Sequence, residues 1–255
     1  MKNVMVANLL PKSRTNKEEL VAMAQAQIEN SLDLGWKPED ICLITNFDFE
    51  HAGVTAIKTN LNEHCSTGSK MFGIRWLVAQ NLDNVYWAHD LDCWQDVAFE
   101  PPKFKDVGIC EYSLPKYNGG SVFWRDTSKD IIEHVTRTLE ETNATREEPT
   151  LNKVLKSKEY RDRVTVLNTT FNLGCSGFVK RYERAIKPIH ASHFHPTNRI
   201  AWESHALNRS GLGYRSVSPR LEALLRRFWP ELAYNLHPKD LKNKLRSERR
   251  RSMIL

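Results

Sequence analysis

Val85-Tyr86-Trp87-Ala88-His89-Asp90-Leu91-Asp92 decides how this chain is read. A β-favouring run leads straight into two carboxylates separated by one leucine. The run predicts a buried strand. Side chains two residues apart on an extended chain point to one side. Asp90 and Asp92 placed so can hold a hard divalent cation, which takes oxygen ligands and bridges well to phosphates. An Asp-x-Asp at a strand end also serves as a turn or a helix cap, so the surrounding elements must decide.

Upstream, residues 4–10 are a compact apolar run and predict a first buried strand. Thr15-Asn16 offers a helix N-cap, with Glu18 and Glu19 in the first turn. Leu20, Met23, Ala24, Ile28, Leu32 and Leu34 follow at helical spacing, and Gly35 closes that helix. Residues 41–45 read as a second buried strand and 54–57 as a short third. Gly68-Ser69 precedes a helix over 70–81. Strand, helix, strand, short strand, helix, strand is the order of a parallel, Rossmann-like α/β sheet. Ligands of such sheets sit outside the carboxyl ends of the strands, where Asp90 and Asp92 fall.

Downstream the pattern is less regular. Strands are predicted at 107–111, 121–124 and 164–167, helices at 131–141 and 149–155, and an extended segment at 190–195. Helical segments follow from 201, at 221–228 and at 239–250. Three groupings there can carry chemistry. In Tyr117-Asn118-Gly119-Gly120-Ser121-Val122-Phe123, adjacent glycines permit a hairpin turn or a close backbone approach to a ligand. In Arg146-Glu147-Glu148-Pro149-Thr150-Leu151-Asn152, Pro149 suits the first helical position and the acids suit the positive helix end. The same carboxylates can act as a general base or bind a sugar. In His190-Ala191-Ser192-His193-Phe194-His195, an extended backbone puts His193 and His195 on one face. A neutral imidazole there completes a site begun by two aspartates and suits Mn²⁺, or it is part of a histidine patch on the surface.

Composition sets outer bounds. The 255 residues carry 37 Lys/Arg and 31 Asp/Glu, with 40% apolar residues. That balance excludes a chain disordered throughout. No apolar run reaches the ~18 residues of a membrane span. The polar start of the chain does not resemble a signal peptide, and the expected location is cytoplasmic. Five scattered cysteines without a Cys-x-x-Cys pair predict reduced, core thiols. Ten Lys/Arg against four Asp/Glu between Arg220 and Arg251 account for the whole charge excess of +6. The expected organisation is therefore a neutral body over residues 1–215, divided near residue 95, and a basic helical segment over 216–255. Residues 239–251 are its densest part and could meet a nucleic acid or an anionic membrane surface, peripherally and on the inner side.

The ordered combination resembles the GT-A-fold glycosyltransferases. It comprises a strand ending in Asp90-x-Asp92, then Asn118-Gly119-Gly120, then Glu147-Glu148-Pro149-x-Leu151-Asn152 opening a helix, then a late histidine. His193-Phe194-His195-Pro196-x-x-Arg199 is similar to the His-Phe-x-Gly-x-x-Lys element of the glycogenin-like family 8 enzymes, with Pro196 in place of glycine. The resemblance implies a mixed GT-A-type sheet flanked by helices. It implies transfer of a sugar from a nucleotide-diphosphate donor, expected to be UDP-linked, to a hydroxyl of a glycan, lipid-linked saccharide or modified base. Asp90, Asp92 and His193 would then hold Mn²⁺ or Mg²⁺. Lys70, Arg75 and Arg199 would meet phosphate or the donor sugar, Asn118, Gly119 and Gly120 would line the sugar pocket, and Asn8, Leu9 and Asn46 would contact base and ribose. Glu148, or Glu147, would be the acceptor-side base of an inverting reaction, whereas retention needs none. Two other readings stay open. One is a nucleotidyltransferase, although Asn8-Leu9-Leu10-Pro11-Lys12-Ser13-Arg14 lacks that class's glycine-rich loop. The other is a non-catalytic polyanion-binding protein acting through its basic tail.

Overall fold

The computed structural model describes residues 1–10, 17–59, 61, 69–113, 115–174, 181 and 184–193. The predicted helices beyond residue 200 and the whole basic segment lie outside these residues, as do Arg199, His195, Cys65 and Cys175.

β1 (Lys2–Ala7) alternates its side chains between two apolar layers. Val4 and Val6 pack on one face of the sheet, Met5 and Ala7 on the other. α1 (Lys17–Asp33) follows and lays Leu20, Met23, Ala24 and Ile28 against the second face. It ends as predicted: Gly35 takes φ +91, its N–H reaches Leu32 O, and Trp36 N–H reaches Ser31 O. That pair of bonds is a Schellman closure, for which glycine pays no Cβ penalty.

β2 (Ile41–Thr45) is buried throughout. The predicted strand at 54–57 is instead two short ones, β4 (Val54–Thr55) pairing with β3 (Glu50–His51), and β5 (Ile57–Lys58) joining the main sheet. Ala56 divides them because its N–H turns to Phe49 O. α2 (Ser69–Ala79) crosses the first face of the sheet closely, since a Cβ on Gly73 would stand 3.0 Å from Val6 Cγ2. β6 (Val85–His89) and β7 (Cys93–Gln95) flank the two aspartates.

β8 (Val107–Ser113) and β9 (Lys116–Arg125) form an antiparallel pair. The structure corrects the reading of Asn118-Gly119-Gly120 as a turn ahead of a strand: all three lie inside β9. The register slips there, from Ile109 opposite Val122 to Cys110 opposite Asn118. A bulge results, because which residues pair is fixed by the partner strand rather than by local turn propensity. α3 (Lys129–Glu141) packs beside α2, α4 (Glu147–Leu155) packs on α3 and β9, and α4 begins two residues before the Pro149 start that was predicted. Pro149 is tolerated because the first helical turn has N–H groups without helical partners anyway. β10 (Val164–Leu167), β11 (Leu173–Gly174) and β12 (Ala191–His193) complete the described strands.

The main sheet has the order β10-β8-β9-β6-β1-β2-β5. Its β6, β1, β2 and β5 members are parallel, while β9 runs against both neighbours. The sheet is thus mixed, as the resemblance implied, with the predicted parallel half intact. A second sheet, β11-β12-β7, stands over the carboxyl end of β6. Trp87, Phe123, Phe104 and Leu167 fill a third apolar layer beneath it. No described helix is long and apolar enough to cross a membrane. Cys42, Cys93 and Cys110 are buried free thiols.

Candidate functional site

β6 delivers its last residues to the carboxyl edge of the sheet, where Asp90 N–H bonds Gly120 O at 2.9 Å. Cys93 N–H then returns to Asp90 O, so residues 90–93 make a tight turn. Leu91 points inward to the apolar layer of Ala7 and Leu9, while the two aspartates flank it. β7 leaves this turn and pairs with β12, setting Cys93 opposite His193. The third residue of the predicted constellation therefore arrives on a strand hydrogen-bonded to the segment that carries the first two.

One ligand atom from each of Asp90, Asp92 and His193 lies within 4.8 Å of the others. His193 is 2% exposed. Its Nε2 stands 3.2 Å from Asp92 Oδ1 and 3.6 Å from Asp90 Oδ2, and its Nδ1 is 3.3 Å from Asn118 Oδ1. Gly120 makes room for the ring: a Cβ there would be 2.1 Å from His193 Cε1. Burial favours the neutral imidazole, but the two aspartates outweigh it and raise the His193 pKa. Two carboxylates and an imidazole that share an excess of negative charge are a donor set suited to Mn²⁺ or a similar divalent ion.

Lys70 enters from the first turn of α2 and is buried. Its ammonium donates to Asp90 Oδ1 at 2.6 Å and to Gly119 O at 2.7 Å, and lies 3.1 Å from Glu147 Oε1. Burial alone would lower its pKa, yet Asp90 and Glu147 raise it further, so it stays charged. Glu148 accepts a hydrogen bond from Asn118 Nδ2 at 3.0 Å. Burial and the neighbouring Glu147 push its carboxyl above the ordinary value. α4 is fixed to the bulged strand by Asn152, whose side chain accepts from Tyr117 N–H and donates to Tyr117 O.

The other predicted residues divide. Asn46 exchanges two hydrogen bonds of 2.8 Å with the backbone of Leu9 and so shapes the loop after β1. Asn8 keeps both amide atoms buried without a hydrogen-bond partner among the described residues. Arg75 is not brought to the cluster: it bonds Thr136 Oγ1, stacks over Phe72 and approaches Glu140 on α3. His89, beside Asp90, is stacked on Trp87 and bonded to Asn3 Oδ1, and burial lowers its pKa to about 4. It is a neutral structural ring.

Sequence reasoning missed Asn172. It is fully buried and donates to Asn118 Oδ1 at 2.7 Å, so it fixes the amide that faces His193 and Glu148. The signal was slight, a lone polar residue between Phe171 and Leu173.

No protein-family model and no curated protein sequence matches the chain. Solved structures do. The galactosyltransferase LgtC, crystallised with donor and acceptor sugar analogs, is similar with a TM-score of 0.55 and 12% identity over 96% of this chain and 100% of that one. The glycosyltransferase GlyE of Streptococcus pneumoniae is similar with a TM-score of 0.54 and 12% identity, over 92% of this chain and 62% of that one. The bifunctional glycosyltransferase WbbM gives 0.55 and 10% identity, over 92% of this chain and 51% of that one. At such identities the likeness speaks for architecture, and the chain has the GT-A fold.

Proposed function

We propose that the chain is a metal-dependent glycosyltransferase using a nucleotide-diphosphate sugar as donor and a hydroxyl as acceptor. The observation that carries this reading is the meeting of Asp90, Asp92 and His193 at the carboxyl end of β6. The fold supports it, because ligands of open α/β sheets bind at that edge. Asp90, Asp92 and His193 would hold Mn²⁺ or Mg²⁺, which supplies Lewis-acid stabilisation of a departing diphosphate.

The chain's own groups have separable tasks in this reading. Lys70, held charged between Asp90 and Glu147, adds fixed positive potential beside the phosphates and keeps Asp90 in place. Asn8 offers an unsatisfied donor and acceptor to the base or ribose of the nucleotide. Asn118, steadied by Asn172, presents its amide at the floor of the sugar pocket, with Gly119 and Gly120 beside it. Glu147 is committed to Lys70, which leaves Glu148 as the carboxylate for the acceptor side. Its raised pKa suits proton transfer at an acceptor hydroxyl. Inversion requires that step, whereas retention leaves the proton to the departing diphosphate. Residues 239–251 offer positive charge to an anionic acceptor or surface.

The test is calorimetric binding of a panel of nucleoside diphosphates and nucleotide sugars, with Mn²⁺ and with EDTA. Metal-dependent binding of one nucleotide, UDP foremost, that disappears in Asp92→Ala is the expected result. Absence of metal-dependent binding across the panel would sink the reading. Glu148→Gln then addresses stereochemistry: a loss of ~10²–10⁴ in transfer marks a general base, and a near-native rate marks retention.

A further inference from the structure

The inner face of α1 is not uniformly apolar. Alongside Leu20, Met23, Ala24 and Ile28 runs a second stripe, Gln27, Asn30 and Ser31, each no more than 2% exposed. A glutamine so placed must find partners for its amide, because a buried donor left unpaired keeps its full desolvation penalty. Gln27 Nε2 donates to Leu91 O at 2.7 Å and to Cys93 O at 3.0 Å, the two carbonyls on either side of Asp92. Asn30 Nδ2 continues the series to Gln95 O at 3.0 Å. Ser31 Oγ donates back to Gln27 O and accepts from Asn3, whose Oδ1 in turn bonds His89. A buried polar seam thus runs from α1 to the carbonyls of residues 91, 93 and 95, and through Asn3 to the ring of His89.

The seam reaches all three members of the proposed metal site. Asp90 begins the turn that Gln27 clamps, Asp92 lies between the clamped carbonyls, and His193 is carried opposite Cys93 by the β7–β12 pairing. Resting on the metal-dependent reading above, we propose that Gln27 is the positioning residue of this site. It touches neither metal nor substrate. Its two hydrogen bonds fix the backbone on both sides of Asp92, and through Cys93 they fix the strand that brings His193. An apolar side chain would fill the same volume on α1 and leave that turn to its own bond and to the pairing of its ends with β9 and β12.

Gln27→Met keeps length and volume and removes both donors. Ile28→Val and Ile28→Ala, next along the same helix and buried in the apolar layer, supply controls that bracket its loss of melting temperature. Two readouts apply to the full chain: Mn²⁺ binding by calorimetry or electron paramagnetic resonance, and amide hydrogen exchange of residues 89–96 without metal. Gln27→Met should bind Mn²⁺ about tenfold more weakly, as loss of an outer-shell partner typically does. Its 89–96 exchange should accelerate several-fold, while the Ile28 variants keep both near wild type. Unchanged exchange, or Mn²⁺ affinity within twofold of wild type, in Gln27→Met overturns the proposal. So do Ile28 variants that lose affinity equally, since general loosening would then explain the effect. A wild-type chain that binds no Mn²⁺ overturns the metal reading and with it the site that Gln27 is said to serve. Faster exchange in Gln27→Met would then leave only a turn anchor.

Discussion

Two places in the molecule set one cation between two carboxylates, at opposite edges of the same sheet. At the amino edge, Arg163 joins Asp106, just before β8, to Asp130 in the first turn of α3. At the carboxyl edge, Lys70 joins Asp90 to Glu147. The first group is closed. Arg163 spreads its guanidinium over Asp106, both oxygens of Asp130 and Thr127 O, and Thr127 Oγ1 caps the remaining Asp106 oxygen. The second is open. Lys70 must serve two carboxylates while Asp92 and Glu148 stand close by, and a buried histidine is drawn in. A group whose carboxylate oxygens are all engaged staples elements together. One with further carboxylates beyond its cation's reach is a place for more positive charge, which is why one cation between two carboxylates reads as structure at one edge and as a site at the other.

Removing one carboxylate from the open edge should separate the two edges most strongly. Asp92→Ala should cut transfer by on the order of 10³, the equivalent of several kcal/mol of lost charge stabilisation. Its melting temperature should change little without metal, because loss of a like charge beside Asp90 offsets loss of the Asp92–His193 contact. A thermal melt and a metal titration on one preparation check both. A large stability loss with intact metal binding would make the open edge a staple too. Next in size is Lys70→Met, which leaves Asp90 and Glu147 without their shared cation. Breaking a buried pair costs about 3–5 kcal/mol, readable by urea denaturation. Mn²⁺ should then restore more melting temperature in this variant than in wild type, since it replaces charge that Lys70 supplied. Equal metal-induced shifts would show that Lys70 and the metal answer to different groups.

Much of the open edge was legible in the sequence, for identifiable reasons. β1, α1, β2, α2 and β6 carry strong apolar patterns, and the Gly35 stop needs no tertiary information. Asp90, Asp92 and His193 were placed by chemistry and order along the chain. What stayed hidden depends on partners. The bulge at Asn118-Gly119-Gly120 is set by how β9 meets β8 and β6, not by its own turn signal. β7 and β11, of three and two residues, are too short to show a period. Gln27, Asn30 and Ser31 carry no apolar signal, and only the backbone carbonyls of 91, 93 and 95 explain the burial of the first two. Arg75 was grouped with Lys70, but five positions turn a helix by ~140°. Lys70 therefore faces the site while Arg75 faces α3.

A smaller change probes how tightly the open edge is built. Gly120→Ala places a methyl 2.1 Å from His193 Cε1 and 2.2 Å from Nδ1, so the ring must move off Asn118 and Asp92. Mn²⁺ affinity should fall about tenfold, with transfer falling in step. Gly119→Ala is the graded companion. Its Cβ would meet Glu147 Oε1 at 3.3 Å and Lys70 Nζ at 3.4 Å, both ends of flexible side chains, and a milder effect is expected. If the two glycines respond alike, the pocket is limited by backbone freedom rather than by the seat of His193.

The two edges should also differ in the sign of their response to pH. Side-chain hydrogen bonding to Arg163 lowers the pKa of Asp130. At Asp106, burial acts upward but is outweighed by Thr127 and Arg163, so it too is lowered. A carboxyl depressed in the fold contributes stability above its unfolded value and loses it as pH falls through the folded one. The amino edge therefore weakens on acidification, and the stability gap between wild type and Arg163→Ala should close as pH falls below the carboxylate range. Glu148 behaves oppositely. Its raised pKa favours the protonated acid in the fold, a contribution present below the unfolded value and lost as pH rises through the folded one. Glu148→Gln, which keeps an acceptor for Asn118 Nδ2, should thus stabilise the chain near neutral pH and give nothing in acid. Each gap is expected to be about 1 kcal/mol or less, within reach of urea titrations at a series of pH values. Gaps of the same sign at both edges would mean that Glu148 is held as a charge in a closed network. Opposite signs would tie its unfavourable ionisation in the metal-free fold to its burial, with the charge of Glu147 beside it.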